Sequence, residues 1–195
     1  MILMKFHKGT SSGGAPAPAR WETVSGASTV GQAAEVLKLK SESLAHAELD
    51  ARILPNEIPF SNLPGQEVLF HPHSKELLIL LRETGLRASF YEDGRKKKEL
   101  LLRSADVYLP TLQFFGEAAL AIGLNMLASW IYDTWVKDAP ASTPPPRIKA
   151  EYLHIEDGER VVRWKKIEGS AKEVADLLKA EAKAAGTKRI SRKKK

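Results

Sequence analysis

The sequence predicts an α+β chain in which two short β-hairpins surround one long apolar central helix, with flexible termini. Three observations carry this expectation. Residues 107–132, VYLPTLQFFGEAALAIGLNMLASWIY, form a long, densely apolar run with a single formal charge, Glu117. Glu-Asp-Gly occurs at 92–94 and again at 156–158, each time between runs of strand character. The first 20 residues are rich in Gly, Ser, Pro and Ala and the last ten in Lys and Arg, compositions that build no core.

Residues 1–28 are read as a flexible arm. The opening MILMKFHKG has too short an apolar run for a signal peptide, so cytoplasmic residence is expected. A helical and hairpin region follows over 29–137. Thr29 and Gln32 match a capping box, from which Ala33, Ala34, Val36 and Leu37 start a short helix. A second helical pattern follows Ser43 through Leu44, Leu49, Ala51, Ile53 and Leu54, and ends at Pro55. Pro55, Pro59, Pro64, Gly65 and Pro72 make 55–73 a loop, with a short strand at 67–70. Ser74 is read as the cap of a helix over 75–84 that Gly85 stops, although its Leu-Leu-Ile-Leu-Leu run also fits a buried strand. Asp93-Gly94 then centres the first hairpin, within 86–103.

The central helix is placed at 110–137, with Pro110 in its first turn, where a missing N–H costs nothing. Gln113, Glu117, Asn125, Ser129 and Asp133 recur at multiples of four and form one narrow polar stripe. Gly116, Ala119 and Gly123 form a small-residue face open to close approach of another backbone. A helix apolar nearly all round is either the centre of a core or a membrane span. Its length and flanking aromatics fit a span over 109–132, whereas Glu117 and Asn125 weigh against one. Both readings stand on the sequence alone.

Beyond it, residues 138–147 are a Pro-rich spacer in which Pro144, Pro145 and Pro146 favour extended geometry. Residues 148–185 form a ββα unit: a hairpin around Asp157-Gly158, then a helix opened by the capping box of Ser170 and Glu173. The tail is 186–195.

The net charge of +6 belongs to that tail. Without Lys188, Arg189, Arg192, Lys193, Lys194 and Lys195, 24 basic residues face 24 acidic ones. Together with Arg95, Lys96, Lys97 and Lys98 past the first turn, these residues are the candidates for contact with nucleic acid or anionic lipid. With no cysteine, disulfides and thiolate chemistry are excluded. Glycine-rich phosphate loops of the P-loop or dinucleotide type are absent as well, and no catalytic residue, cofactor site or metal site is assigned. The pairs His71 and His73, and His46 and Asp50, are read as ordinary surface residues. Trp164, between Arg163 and Lys165, is read as packing on the last helix. Its strand alternation sets Val162, Trp164 and Lys166 on one face and Arg163 and Lys165 on the other.

The Ala/Leu-rich helix from Ala118 to Trp130, the Asp157-Gly158 turn and the closing helix residues Glu173 to Leu178 give residues 107–180 a layout that resembles effector-associated constant components, accessory modules of bacterial conflict systems. The resemblance covers less than half of the chain and implies a non-enzymatic accessory or adaptor role. The expected function is therefore a protein partner or self-association through the central helix, with Phe114, Phe115, Glu117, Asn125, Trp130 and Trp135 as interaction candidates. Membrane insertion and nucleic-acid binding through the tail are the alternatives.

Overall fold

A computed structural model of the chain describes residues 19–24, 29–45, 48–55, 67–92, 94–99, 106–140, 145–156 and 160–192. Strand β1 (Arg20–Thr23) leads to helices α1 (Val30–Leu37) and α2 (Ser41–Leu44), then to β2 (Ala51–Ile53) and β3 (Glu67–Phe70). Helix α3 (Ser74–Glu83) precedes β4 (Ala88–Phe90), β5 (Lys96–Glu99), β6 (Val107–Tyr108) and β7 (Leu112–Phe115). Helix α4 (Gly116–Trp135), strands β8 (Arg147–Glu156) and β9 (Arg160–Ser170), and helix α5 (Ala171–Arg192) complete the order.

The organising element is a mixed seven-stranded sheet with the order β1-β9-β8-β7-β2-β4, and β6 also pairs with β8. Two short hairpins around a central helix are therefore not what the chain builds. Strands β8 and β9 form one long antiparallel hairpin, and β7 lies parallel to β8 and antiparallel to β2. The runs on either side of Gly94 do not pair with each other. Strand β4 joins β2 in the large sheet, while the charged β5 pairs with β3 in a separate parallel ribbon. A turn signal reverses the chain locally, but burial selects the partner: Ala88 is buried against the core, whereas Lys96, Lys97 and Glu99 are exposed. Asp93 and the second turn, 157–159, lie outside the described residues.

The central segment is corrected in the same way. Residues 112–115 form an inner strand of the sheet, and the helix begins at Gly116. Pro110 sits in a strand irregularity and not in a helical turn. Val107 pairs with Ile148 and Leu112 with Tyr152, so five steps along β6–β7 match four along β8. A bulge is one of the few places a sheet tolerates proline. Ala51 and Ile53, expected in a helix, are strand residues buried with Arg52 between them. Ser74 is the first residue of α3 and not its cap. Among the described residues, no helix is long and apolar enough to cross a membrane.

The two expected capping boxes are present. Gln32 N–H donates to Thr29 Oγ1 at 3.3 Å and Thr29 N–H to Gln32 Oε1 at 3.2 Å. Glu173 N–H reaches Ser170 Oγ at 3.4 Å, with Ser170 N–H returning to Glu173 Oε2 at 3.1 Å. One sheet face, bearing Phe114, Tyr152, Arg163 and Lys165, lies under α4 and α5, which pack against each other. The other bears Gln113, Glu151 and Trp164 on the side of α1 and α2. There Gln113 Nε2 donates to the Leu44 carbonyl at 2.8 Å.

Candidate functional site

Helix α4 starts on the last residue of β7 with no intervening loop. Gly116 makes this possible through a φ of +82°, the left-handed region that side chains disfavour. From this turn α4 lays Leu120, Leu124, Leu127 and Ile131 into the core. The opposite face carries Ala118, half-buried, then Ile122 (43% exposed), Asn125, Ser129 and Tyr132 (39% exposed). Their spacing of 4, 3, 4 and 3 keeps them within an arc of about 80° at 3.6 residues per turn. Between Glu117 and Asp133 there is no charged residue at all. A solvent-facing helix stripe is normally charged, whereas none of these five residues is; Lys179 of α5 sets its Nζ over the Tyr132 ring, 5.3 Å from the centroid.

The interaction candidates divide between the core and this helix. Phe114 and Trp130 are buried, Phe115 and Trp135 are half-buried, and only Asn125 is exposed on the seam. Phe115 lies under the Arg52 guanidinium, 5.7 Å from its ring centroid. Trp130 donates Nε1–H to Glu76 Oε1 at 2.9 Å and stacks edge-on with Trp135 at 4.9 Å. His73 meets both indoles edge-on at 5.4 and 5.6 Å. Ile122, Ser129 and Tyr132 are not among the interaction candidates that the sequence offers, because strand and helix share one apolar run; their 4-3-4-3 spacing is the signal that marks them.

Glu117 is not on a solvent stripe. Its Oε1 receives Arg163 Nη2–H at 3.1 Å, with the two side chains only 14% and 12% exposed. Arg163 Nη1 stands 3.7 Å from Glu181 Oε1, which also accepts from Tyr152 Oη and Lys165 Nζ at 3.0 Å each. Burial raises the Glu181 carboxyl, but the hydrogen bonds and charges of Lys165, Tyr152 and Arg163 more than offset it and hold the carboxyl below its usual range. Burial pushes the Tyr152 phenol up, and Glu181 adds to the effect. Two carboxylates against two cations bind α4, β9 and α5 together, so the cluster reads as a structural clamp.

Across the sheet, β1, β9 and β8 floor a cleft of about 680 Å³. Register sets Arg20, Glu168 and Lys149 in one row and Glu22, Lys166 and Glu151 in the next. The signs alternate along and between rows, with Lys149 3.7 Å from Glu168 and Lys166 3.6 Å from Glu151. Trp164 Nε1–H donates to Glu151 Oε1 at 2.6 Å and Thr111 Oγ1 to Oε2 at 2.9 Å. Trp164 thus faces this cleft and not α5. Three cations offset three carboxylates, which leaves no net charge to draw in a phosphate backbone.

Arg95 precedes β5, and Lys96, Lys97 and Lys98 lie on it. Lys97 Nζ is bound to Glu92 Oε1 at 2.6 Å. Lys188, Arg189 and Arg192 continue α5, whereas Lys193, Lys194 and Lys195 lie outside the described residues, as does His46. His71 is buried and not the surface residue the sequence suggests; its ring stacks on that of His73 at 5.3 Å, and His73 N–H donates to His71 Nδ1 at 3.3 Å. Among the described residues no group of three or more histidines and carboxylates is placed to hold a metal.

The chain matches no protein-family model, and neither a curated protein nor a solved structure is detectably similar to it.

Proposed function

We propose that the protein is a non-enzymatic interaction module that self-associates through the exposed seam of α4. The observation that carries this reading is a stripe of five uncharged residues on α4, Ala118, Ile122, Asn125, Ser129 and Tyr132, spaced as the facing residues of paired helices are. A two-fold axis through Asn125 matches the seam to itself. It sets small Ala118 against large Tyr132 of the second copy and Ile122 against Ser129. Asn125 meets its own counterpart, where two carboxamides exchange hydrogen bonds. Such an isologous contact closes as a dimer. The accessory role implied by the resemblance noted above is compatible with it.

The chain contains no cysteine, so an introduced one reports its own neighbours. Asn125→Cys should form a disulfide-linked dimer under mild oxidation, while Thr134→Cys, off the seam, should not. In sedimentation the parent chain should run as a dimer and Ile122→Glu as a folded monomer. A monomer at all concentrations up to several hundred micromolar, or a dimer that Asn125→Cys fails to cross-link, would refute the proposal.

A further inference from the structure

A second feature lies away from α4, on the far side of β2. Arg52 is only 4% exposed, on a strand inside the sheet. Its Nη1 donates to the Ser43 carbonyl, while its Nε is buried with no hydrogen-bond partner. Among the described residues no carboxylate forms an ion pair with it. A guanidinium stays charged in proteins, and a buried charge lacking a close counter-ion is costly. Burial pulls the Arg52 pKa below its ordinary value, with Tyr91 and Glu92 acting the other way.

This side chain lines a pocket of about 410 Å³ that opens to solvent between α2 and β4. The volume falls in the range of small-ligand sites. Glu42, Glu48 and Glu92 also line it and are exposed, and Leu49, Phe90 and Ser89 complete the wall. One buried cation beneath Glu42 and Glu48 disfavours a simple anion, because phosphate or acetate would meet their like charges on entry, while Glu92 is held by Lys97 Nζ at 2.6 Å. It also disfavours a simple cation, which the arginine would repel at the floor. A molecule carrying both charges close together satisfies both ends, and the apolar wall fits a hydrocarbon side chain.

We propose that the Arg52 pocket binds a free apolar α-amino acid, its carboxylate on the Arg52 guanidinium and its ammonium toward Glu42 and Glu48. The carboxylate would pair with the guanidinium, whose Nε is the donor the protein leaves without a partner. This site is separate from the α4 seam, so either proposal can fail without the other.

The test is isothermal titration of the full chain with L-leucine and L-phenylalanine, beside N-acetyl-leucine and leucinamide. Each analogue lacks one of the two charges. The free amino acids should bind saturably, and both analogues about ten-fold or more weaker, about 1.4 kcal/mol. Glu42→Gln/Glu48→Gln changes only exposed residues and should weaken leucine while leaving N-acetyl-leucine no weaker. Arg52→Lys should weaken leucine, and if that variant does not fold, the analogue series and the glutamate variant decide. No saturable binding of either amino acid would overturn the proposal. N-acetyl-leucine binding as tightly as leucine would overturn it too, as would undiminished binding by folded Arg52→Lys.

Discussion

The ring of Phe114 lies against the α-carbon of Gly123: a β-carbon at that position would stand 2.1 Å from Phe114 Cε1 and 2.6 Å from Cζ. Strand β7 and helix α4, adjacent in sequence, are thereby folded onto each other with one aromatic ring filling the space that glycine leaves. Phe114 is fully buried, so its ring cannot swing into solvent without leaving the core. Gly123→Ala should therefore destabilise the protein by about 1–3 kcal/mol, even though alanine is the better helix former by about 1 kcal/mol. Urea unfolding of Gly123→Ala, Phe114→Leu and the double variant checks this. The double variant should lose less than the sum of the singles, because shortening the side chain at 114 removes the clash. Strict additivity would show that the two residues do not share the space.

Gly116, seven residues earlier on the same helix, is glycine for a different reason. No atom lies within 4 Å of the position its β-carbon would take, but its φ is +82°. The cost of Gly116→Ala is thus backbone strain alone, about 1–2 kcal/mol. Asn tolerates this region better, so Gly116→Asn should fall between alanine and the parent in thermal unfolding. Substitution at Phe114 should leave the Gly116→Ala penalty unchanged, unlike that of Gly123→Ala.

What the sequence made legible follows the range of each interaction. The capping boxes of Thr29 with Gln32 and of Ser170 with Glu173 close within three residues, so the local sequence is enough to predict both. Leu112 to Phe115 carry a helical signal because their apolar character continues into α4. Only β2 and β8, about 60 residues before and 40 after in sequence, make them a strand. Arg52 and Arg163 carried no site signal for the same reason. Arg163 pairs with a carboxylate 46 residues away, and the burial of Arg52 depends on a sheet whose strand order the sequence does not display. Alternation in β9 did separate Arg163 and Lys165 from Trp164, and the structure puts those two faces against different layers. The helix assigned to Trp164 was the wrong one, since periodicity gives faces and not partners.

The Glu117–Arg163 pair offers a prediction about buried charge. Both side chains are largely buried, and Glu117 Oε2 and Arg163 Nη1 have no hydrogen-bond partner. Arg163→Met should cost about 3 kcal/mol, because it leaves the Glu117 carboxylate without its cation. Combining it with Glu117→Gln should recover a substantial part of that loss. A double-mutant cycle in denaturant measures the coupling, which should exceed the 1 kcal/mol or so found for exposed pairs. Lys165 should then become the principal remaining cation on Glu181.

Acid sensitivity should follow His71. It is buried, and burial with the nearby charge of His73 lowers its pKa to about 4, Glu99 opposing weakly. His71 Nδ1 accepts the His73 N–H, a bond that fits the neutral ring with its proton on Nε2. In the unfolded chain the same imidazole takes up a proton near its ordinary pKa of 6.5. Between about pH 6.5 and 4 the unfolded state therefore holds more protons than the native one, and stability rises with pH across that window. Below about pH 4 both states are protonated at this site and the loss is complete, about 3 kcal/mol at most. His71→Gln, which cannot titrate, should flatten this part of the stability profile measured by urea unfolding from pH 7 to 4. The difference between parent and variant should be constant above pH 7 and shrink or invert on acidification. Parallel profiles would assign the acid sensitivity to the carboxylates instead, with Asp50, whose pKa Arg87 lowers through hydrogen bonds, the first to examine.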